Sequence, residues 1–299
     1  VRTVQHGDAL SASFIAGMGD TTRRVLGRSM ATQVDPRDAV VVCHSEPGAW
    51  HPPLYQTSRC PPAGARYTVG RTMFETDRLP SGWTERLNGM DEVWVPTSFH
   101  RRVFLQHGVL ASKLRVVPEA VDTAVFRAGR TPPLQMPLPG SSDGGGQTRF
   151  LSVFKWEARK GWDVLLHAYL TEFSDADNVV LYLLTSAYHG DDDFAASMAR
   201  FRQQHGLPAD GGPPVHLLPR GLPEEQLVAL YGSVHCLVQP SRGEGWGRPH
   251  AEAMAVGLPV IATNWSGTTE FLNERNGYPL RITGLEERRD GGAFDGHRW

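Results

Sequence analysis

Two short segments combine charge, glycine and placement in a way that suits anion chemistry. The first, PSRGEGWGRPHAE at 240–252, sets Gly243, Gly245 and Gly247 between the carboxylates of Glu244 and Glu252. Glycines let backbone amides approach a ligand closely, and Pro249 suits a first helical turn, where its missing N–H is not needed. A helix opening there offers free N–H groups and a positive dipole end to a phosphate or a developing anion. Glu252 falls one turn into that helix, which turns both carboxylates toward one ligand. The second segment, FKWEARKG at 154–161, puts Lys155 at a strand end and Arg159 and Lys160 at a helix start. Cations there oppose the helix dipole by a few tenths to about 1 kcal/mol. An anion lying between them would remove the mismatch. Each segment also has a plain structural reading. The first is a glycine turn before a helix with a dipole-favoured Glu, and the second is an exposed basic turn neutralised by Glu157 and Asp163. A dinucleotide fingerprint fits less well, because G-x-G-x-x-G needs a glycine where Arg248 stands.

Such segments require strand-to-helix turns, and the chain supplies them in two sets. β-branched runs at 39–43, 66–74, 91–95 and 114–117 read as strands, with a helix over 98–107 stopped by Gly108. Beyond 148 the alternation sharpens, with strands at 149–154, 178–185, 214–218, 234–239 and 259–263. Helices fall between them at 161–173, 194–205, 223–231 and 249–256. The first of these puts Trp162, Leu165, Leu166, Tyr169 and Phe173 on one face, the stripe of a core-facing helix. This alternation predicts an α/β fold of two Rossmann-like, doubly wound domains with parallel sheets, ligands lying beyond the strands' carboxyl ends. The Pro, Gly and Ser content of 128–148 marks a linker or insert. The expected domains are therefore 1–127 and 149–299.

Composition narrows the chemistry. The 299 residues carry 30 Lys+Arg against 32 Asp+Glu, a net charge of −2, without the basic excess of a nucleic-acid surface. The longest apolar run, Val179 to Leu184, is far short of the roughly 18 residues of a membrane span. Cys43, Cys60 and Cys236 are odd in number and lack C-x-x-C spacing, which disfavours a disulfide framework and a zinc knuckle alike. Asp175-Ala-Asp177 and Asp191-Asp-Asp193 satisfy the letters of a metal-binding Asp-x-Asp, but the first precedes a strand and the second suits a helix cap. No metal site is expected.

The two turns, in this order, resemble the signature of retaining glycosyltransferase family 4, of GT-B fold. PSRGEGWGRPHAEAMAVGLPVIATNWSGTTEF and FLSVFKWEARKGWDVLLHAY carry the likeness. TMFETDRLPSGW, DEVWVPTSFHRRVFLQHGV and VVPEAVDTAVF extend it over about Cys43 to Leu272. The resemblance implies two domains facing across a cleft and a metal-independent transfer of a hexose from a nucleotide-diphosphate sugar to a hydroxyl acceptor, with no other cofactor. It implies that Lys155 and Lys160 contact the donor diphosphate, Lys155 standing where many relatives have Arg. Glu244, with the amides of Gly245, Trp246 and Gly247, would hold the transferred sugar and the phosphates. Glu252 would bind the ribose, and Arg220 and Gly221 would lie against the base.

The acceptor side is read from strand ends: His44 as a catalytic candidate, with Glu46, Glu75 and Asp77 beside it. Trp50, Tyr55 and Trp83 are candidates for stacking on a sugar, with a place in the core as the default reading. Alternatives on the same fold are an inactive binding or scaffold module and a sugar-nucleotide epimerase. Peripheral membrane contact is compatible with the sequence, and a cytoplasmic location is the default. The chain is short for a complete enzyme of this type, so both ends are expected to be trimmed.

Overall fold

The computed structural model describes residues 2–4, 12–50, 59–129, 132, 134, 146–187, 193–208, 211–219, 221–289 and 294–299. The chain divides into two compact units. One comprises Val1–Pro118 with Glu287–Arg298, the other Glu119–Glu286 with Trp299.

The first unit begins with helices α1 (Ala12–Gly17) and α2 (Asp20–Ala31). Then follow β1 (Val40–His44), β2 (Tyr67–Arg71), α3 (Trp83–Asn88), β3 (Glu92–Val95), α4 (Ser98–Gln106) and β4 (Leu114–Val116). The four strands pair in parallel in sequence order. Thr97 caps α4 by accepting the His100 N–H, as an N-terminal threonine should. Contrary to the odd count of cysteines, Cys43 and Cys60 form a disulfide across 17 residues. Their Cα atoms lie 5.9 Å apart, within bridging reach, because the chain after β1 doubles back beside it. Cys236 stays free and buried.

The second unit contains β5 (Thr148–Trp156), α5 (Trp162–Glu172), β6 (Val179–Ala187), α6 (Phe194–Gln204) and β7 (Val215–Leu217). It continues with α7 (Glu224–Gly232), β8 (Cys236–Gln239), α8 (Arg248–Ala255), β9 (Val260–Thr263) and β10 (Tyr278–Leu280). Its parallel sheet runs β10-β9-β8-β5-β6-β7. Strand β6 is apolar from Val179 to Leu184 because both faces are covered there, as in parallel sheets generally. Val180 and Tyr182 enter one core with Leu151, Leu237 and Val260. Val179, Leu181 and Leu183 enter the other with Leu165, Leu166 and Tyr169 of α5.

Both expected domain limits shift. Phe126 packs in the core of the second unit, flanked by Val121 and Val125, so that unit starts at Glu119 rather than after a linker. Most of 128–148 lies outside the described residues. Residues 287–298 belong to the first unit: Phe294 stacks on Phe74, His297 bonds Thr76 and Arg298 pairs with Asp77. Among the described residues no helix is long and apolar enough to cross a membrane.

The disulfide gives the first unit a stability test that is independent of the sites described below. Replacing both bridged cysteines by serine should lower the unfolding free energy by about 3 kcal/mol, the value for a loop of this length. Urea denaturation of the oxidised protein and the Cys43→Ser/Cys60→Ser variant measures it, and equal midpoints would show that the bridge does not constrain the chain.

Candidate active site

In an open parallel sheet the strand order reverses at one point, and the crevice beyond the carboxyl ends of those strands is where ligands bind. Here that point lies between β5 and β8. Ladder pairing between them covers only Phe150–Cys236 and Leu151–Leu237, after which the strands part. The buried side chain of Gln239 spans the opening as a substitute peptide group. Its Oε1 accepts from Ser152 Oγ at 2.9 Å and Val153 N at 3.1 Å, and its Nε2 donates to Val153 O at 2.6 Å. Every polar atom of that amide is therefore employed in holding the two strands at a fixed spread.

The turns that follow these strands meet. Gly161 sits at φ +66°, and a Cβ there would fall 2.1 Å from Pro240 O, so only glycine lets α5 begin this close to the second turn. Arg242 fastens the two together. Its N–H donates to Arg159 O at 2.7 Å, and its guanidinium donates to Ala158 O and, bidentately at 2.8 Å, to Asp163. Sequence reading gave Arg242 no role; its position between Ser241 and Gly243 carries no signal that Asp163 lies opposite.

Lys160 Nζ reaches both oxygens of Glu244 at 2.8 Å. Arg159 adds a contact to Glu244 Oε2 at 3.4 Å while donating to Gly243 O and Glu157. The anion that the basic turn calls for is thus a carboxylate of the chain itself. Burial opposes ionisation of Glu244, but Lys160 and Arg159 outweigh it and hold the carboxyl well below its ordinary range. A third turn supports the arrangement: Glu244 N donates to Ser266 Oγ at 2.8 Å, and Gly267 N donates to Glu244 O at 2.9 Å. Ser266 accepts a φ of +63°, a left-handed conformation that costs a non-glycine residue about 1–2 kcal/mol.

Next to this pair, the N–H groups of Gly245, Trp246 and Gly247 have no acceptor among the described residues, at the start of α8. Trp246 packs on Phe271, and its indole N–H is buried without a partner. Glu252, also buried, takes Tyr231 Oη and Arg248 Nη2 at 3.3 Å each. Desolvation raises its pKa against the pull of Arg248. Glu244 and Glu252 therefore have separate partners rather than a shared one. Lys155 is exposed near the end of β5. Beyond β6 and β7 a cavity of about 490 Å³ is lined by Thr185, Phe194, Leu217, Leu218 and Pro219 among others. Gly221 follows it in an exposed left-handed turn, and Arg220 lies outside the described residues.

In the first unit His44, the last residue of β1, and Glu46 just after it are exposed, and Glu75 is half-buried. Asp77 is engaged by Arg298, whose Nε and backbone N–H both donate at 2.9 Å, and by Arg78 at 3.2 Å. Trp50 and Trp83 are core residues, and Tyr55 lies outside the described residues. Asp177 closes a turn on Ser174, and Asp193 caps α6 through Ala196 N, so one aspartate of each Asp-x-Asp stretch serves backbone geometry; Asp191 and Asp192 lie outside the described residues.

The two carboxylates should respond to pH in opposite senses. Glu244 is held down, so it stabilises the fold above its unfolded value of 4.5 and loses that contribution as the pH falls. Glu252 is pushed up, so its charge weighs against the fold once the pH rises through its folded value. Glu244→Gln should unfold more easily at neutral pH and show a flatter acid limb between about pH 6 and pH 3. Glu252→Gln should gain stability at neutral pH. Denaturant midpoints across that range decide it, and parallel profiles for the unaltered chain and Glu244→Gln would rule it out.

Residues 148–286 match the Glycosyl transferases group 1 family. The D-inositol 3-phosphate glycosyltransferase of Acidothermus cellulolyticus is 26% identical over 189 residues, 63% of this chain and 41% of that protein. A putative glycosyltransferase of Sulfolobus islandicus filamentous virus is 25% identical over 195 residues, 64% of this chain and 47% of that one. The chain thus spans less than half the length of these curated relatives. Among solved structures, Anabaena HepE, crystallised with UDP and glucose, superposes with a TM-score of 0.56 at 18% identity, covering 74% of this chain and 59% of HepE. That likeness is one of fold, the parallel-sheet α/β units of GT-B proteins. The stretch similar to the glycosyl transferases group 1 family, residues 148–286, contains both switch-point turns.

Proposed function

We propose that this chain acts as a retaining glycosyltransferase, moving a hexose from a nucleotide-diphosphate sugar to a hydroxyl acceptor without a metal ion. The observation that supports it most is the Lys160–Glu244 contact at the switch point, next to three amides without acceptors. Departure of a nucleoside diphosphate concentrates negative charge on the leaving oxygens. Lys160, Lys155 and the amides of Gly245, Trp246 and Gly247 supply fixed positive charge and donors for it, the electrostatic stabilisation that usually dominates such catalysis. Glu244 holds Lys160 in place before the donor arrives and offers its carboxylate oxygens to the sugar hydroxyls afterwards.

Around that centre, Glu252 accepts from the ribose hydroxyls, Arg248 keeping the carboxylate oriented. The cavity beyond β6 and β7 takes the base, and Arg220 and Gly221 are assigned to the same part of the donor. HepE was crystallised with UDP-glucose as well, which supports a donor of this class here. Retention follows from attack on the same face as departure. The bond from C1 to the diphosphate oxygen breaks, the acceptor oxygen bonds to C1, and the acceptor proton passes to the diphosphate oxygen. Acceptor contacts are assigned to the first unit, to His44, Glu46, Glu75 and Asp77.

Incubation with UDP-, GDP- and ADP-sugars, measuring nucleotide release, tests the reading. Turnover should survive a chelator. Lys160→Ala and Glu244→Ala should each reduce it by about 10²–10³-fold while the protein stays folded. Release that stops on chelation would remove metal independence, and no release or binding with any donor would remove the donor site.

A further inference from the structure

Buried polar atoms without partners gather along one stretch of the second unit, at Ser241 Oγ, Trp246 Nε1 and both ring nitrogens of His250. His250 is the extreme case. It is 0% exposed, and its nitrogens lie near the backbone of Gly247 and Gln239 without reaching hydrogen-bond geometry. Interiors pair such groups almost without exception, so an orphaned imidazole marks a requirement other than stability.

Its packing indicates which requirement. Gly247 turns the chain into α8 at φ +93°, and a Cβ there would lie 2.8 Å from His250 Nδ1 and 2.9 Å from Thr268 Cγ2. The ring is therefore seated directly against the last of the three residues whose amides have no acceptor. A branched aliphatic side chain of similar volume would place methyl groups where the planar ring now lies. The charged groups that act on it are Glu244 and Lys160, and burial keeps it neutral at neutral pH.

We propose that His250 is a positioning residue: seated against Gly247, it holds the Gly245–Gly247 amides in the arrangement that receives a diphosphate. The inference rests on the donor-site reading above and adds to it a side chain that touches neither sugar nor phosphate.

The test compares unaltered chain and His250→Leu by titration calorimetry with UDP, GDP and ADP and with the matching monophosphates, alongside thermal unfolding. His250→Leu should melt at or above the unaltered chain, because two unpartnered nitrogens are gone. Its affinity for the accepted diphosphate should fall about tenfold and that for the monophosphate less than about twofold. His250→Gln, which restores a flat polar group, should recover part of the loss, and it carries the comparison if His250→Leu does not fold. Equal diphosphate affinity in variant and unaltered chain would overturn this inference alone. So would an equal fall for both nucleotides accompanied by a lower melting temperature. If the unaltered chain binds none of the three diphosphates, the donor-site reading fails and this inference with it.

Discussion

A buried ion pair, Lys160 on Glu244, is the constraint that orders the second unit. Two adjacent cations at the mouth of α5 oppose its dipole, and a carboxylate buried as deeply as Glu244 is unfavourable without cations. Each turn alone is therefore unfavourable; together they are mutually neutralising. The partners are 84 residues apart in sequence, so only the sheet can join them. Strand order does it, by inserting β8 beside β5 and leaving β6 and β7 on the other side. Gln239 then sets the spread of the strands, Gly161 the approach of the turns, and Arg242 their register. Removing Lys160 would strand Glu244 with Arg159 at a longer distance, and broken buried pairs typically cost about 3–5 kcal/mol.

The same region distributes satisfaction unevenly. Both polar atoms of the Gln239 side chain are partnered, whereas the buried polar side-chain atoms of Ser241, Trp246 and His250, further along the chain, have no hydrogen-bond partner. Ser266 keeps a left-handed backbone in order to place its hydroxyl under Glu244 N. Strain and orphaned polar groups that sit together, next to a fully satisfied scaffold, are the pattern of a site built for something that arrives later. A stretch that folded only for its own stability would exchange His250 for an aliphatic residue and Ser266 for glycine.

What could be read in the sequence was whatever is local. The helix stripe from Trp162 to Phe173, the unbroken apolar run of β6 and the glycine-to-proline entry into α8 all follow from spacing within one element. The misplaced charges of Arg159 and Lys160 were legible too, as the need for an anion. That the anion is Glu244 was not, because it depends on which strand lies beside β5. The same applies to Gln239, which reads as an ordinary strand residue until β5 and β8 are seen to part beside it. Counting cysteines misled, since pairing depends on how closely the chain after β1 returns rather than on parity. Phe126 and the 287–298 segment fall outside the expected limits for a related reason: Phe126 with Val121 and Val125, and Phe294, His297 and Arg298, are attached by contacts between side chains far apart in sequence that composition does not report.

The first unit shows how such attachment narrows the acceptor-side reading. Asp77 lies in the E-T-D-R stretch that follows β2, where a ligand-facing carboxylate is expected. Yet Arg298 approaches it through both its guanidinium and its backbone N–H, and Arg78 adds a third donor, so the carboxyl is occupied and, against the opposing effect of burial, held below its ordinary range. Its neighbour Thr76 is fully buried and bonded to His297, drawing the same return segment onto the same stretch. A carboxylate whose donors are all supplied by the fold is poorly placed to accept one from a substrate, because each new bond displaces an existing charge-assisted one. Asp77 therefore contributes by holding the 287–298 segment against β2's loop. Of the other residues assigned to the acceptor side, His44 and Glu46 are exposed and Glu75 is half-buried.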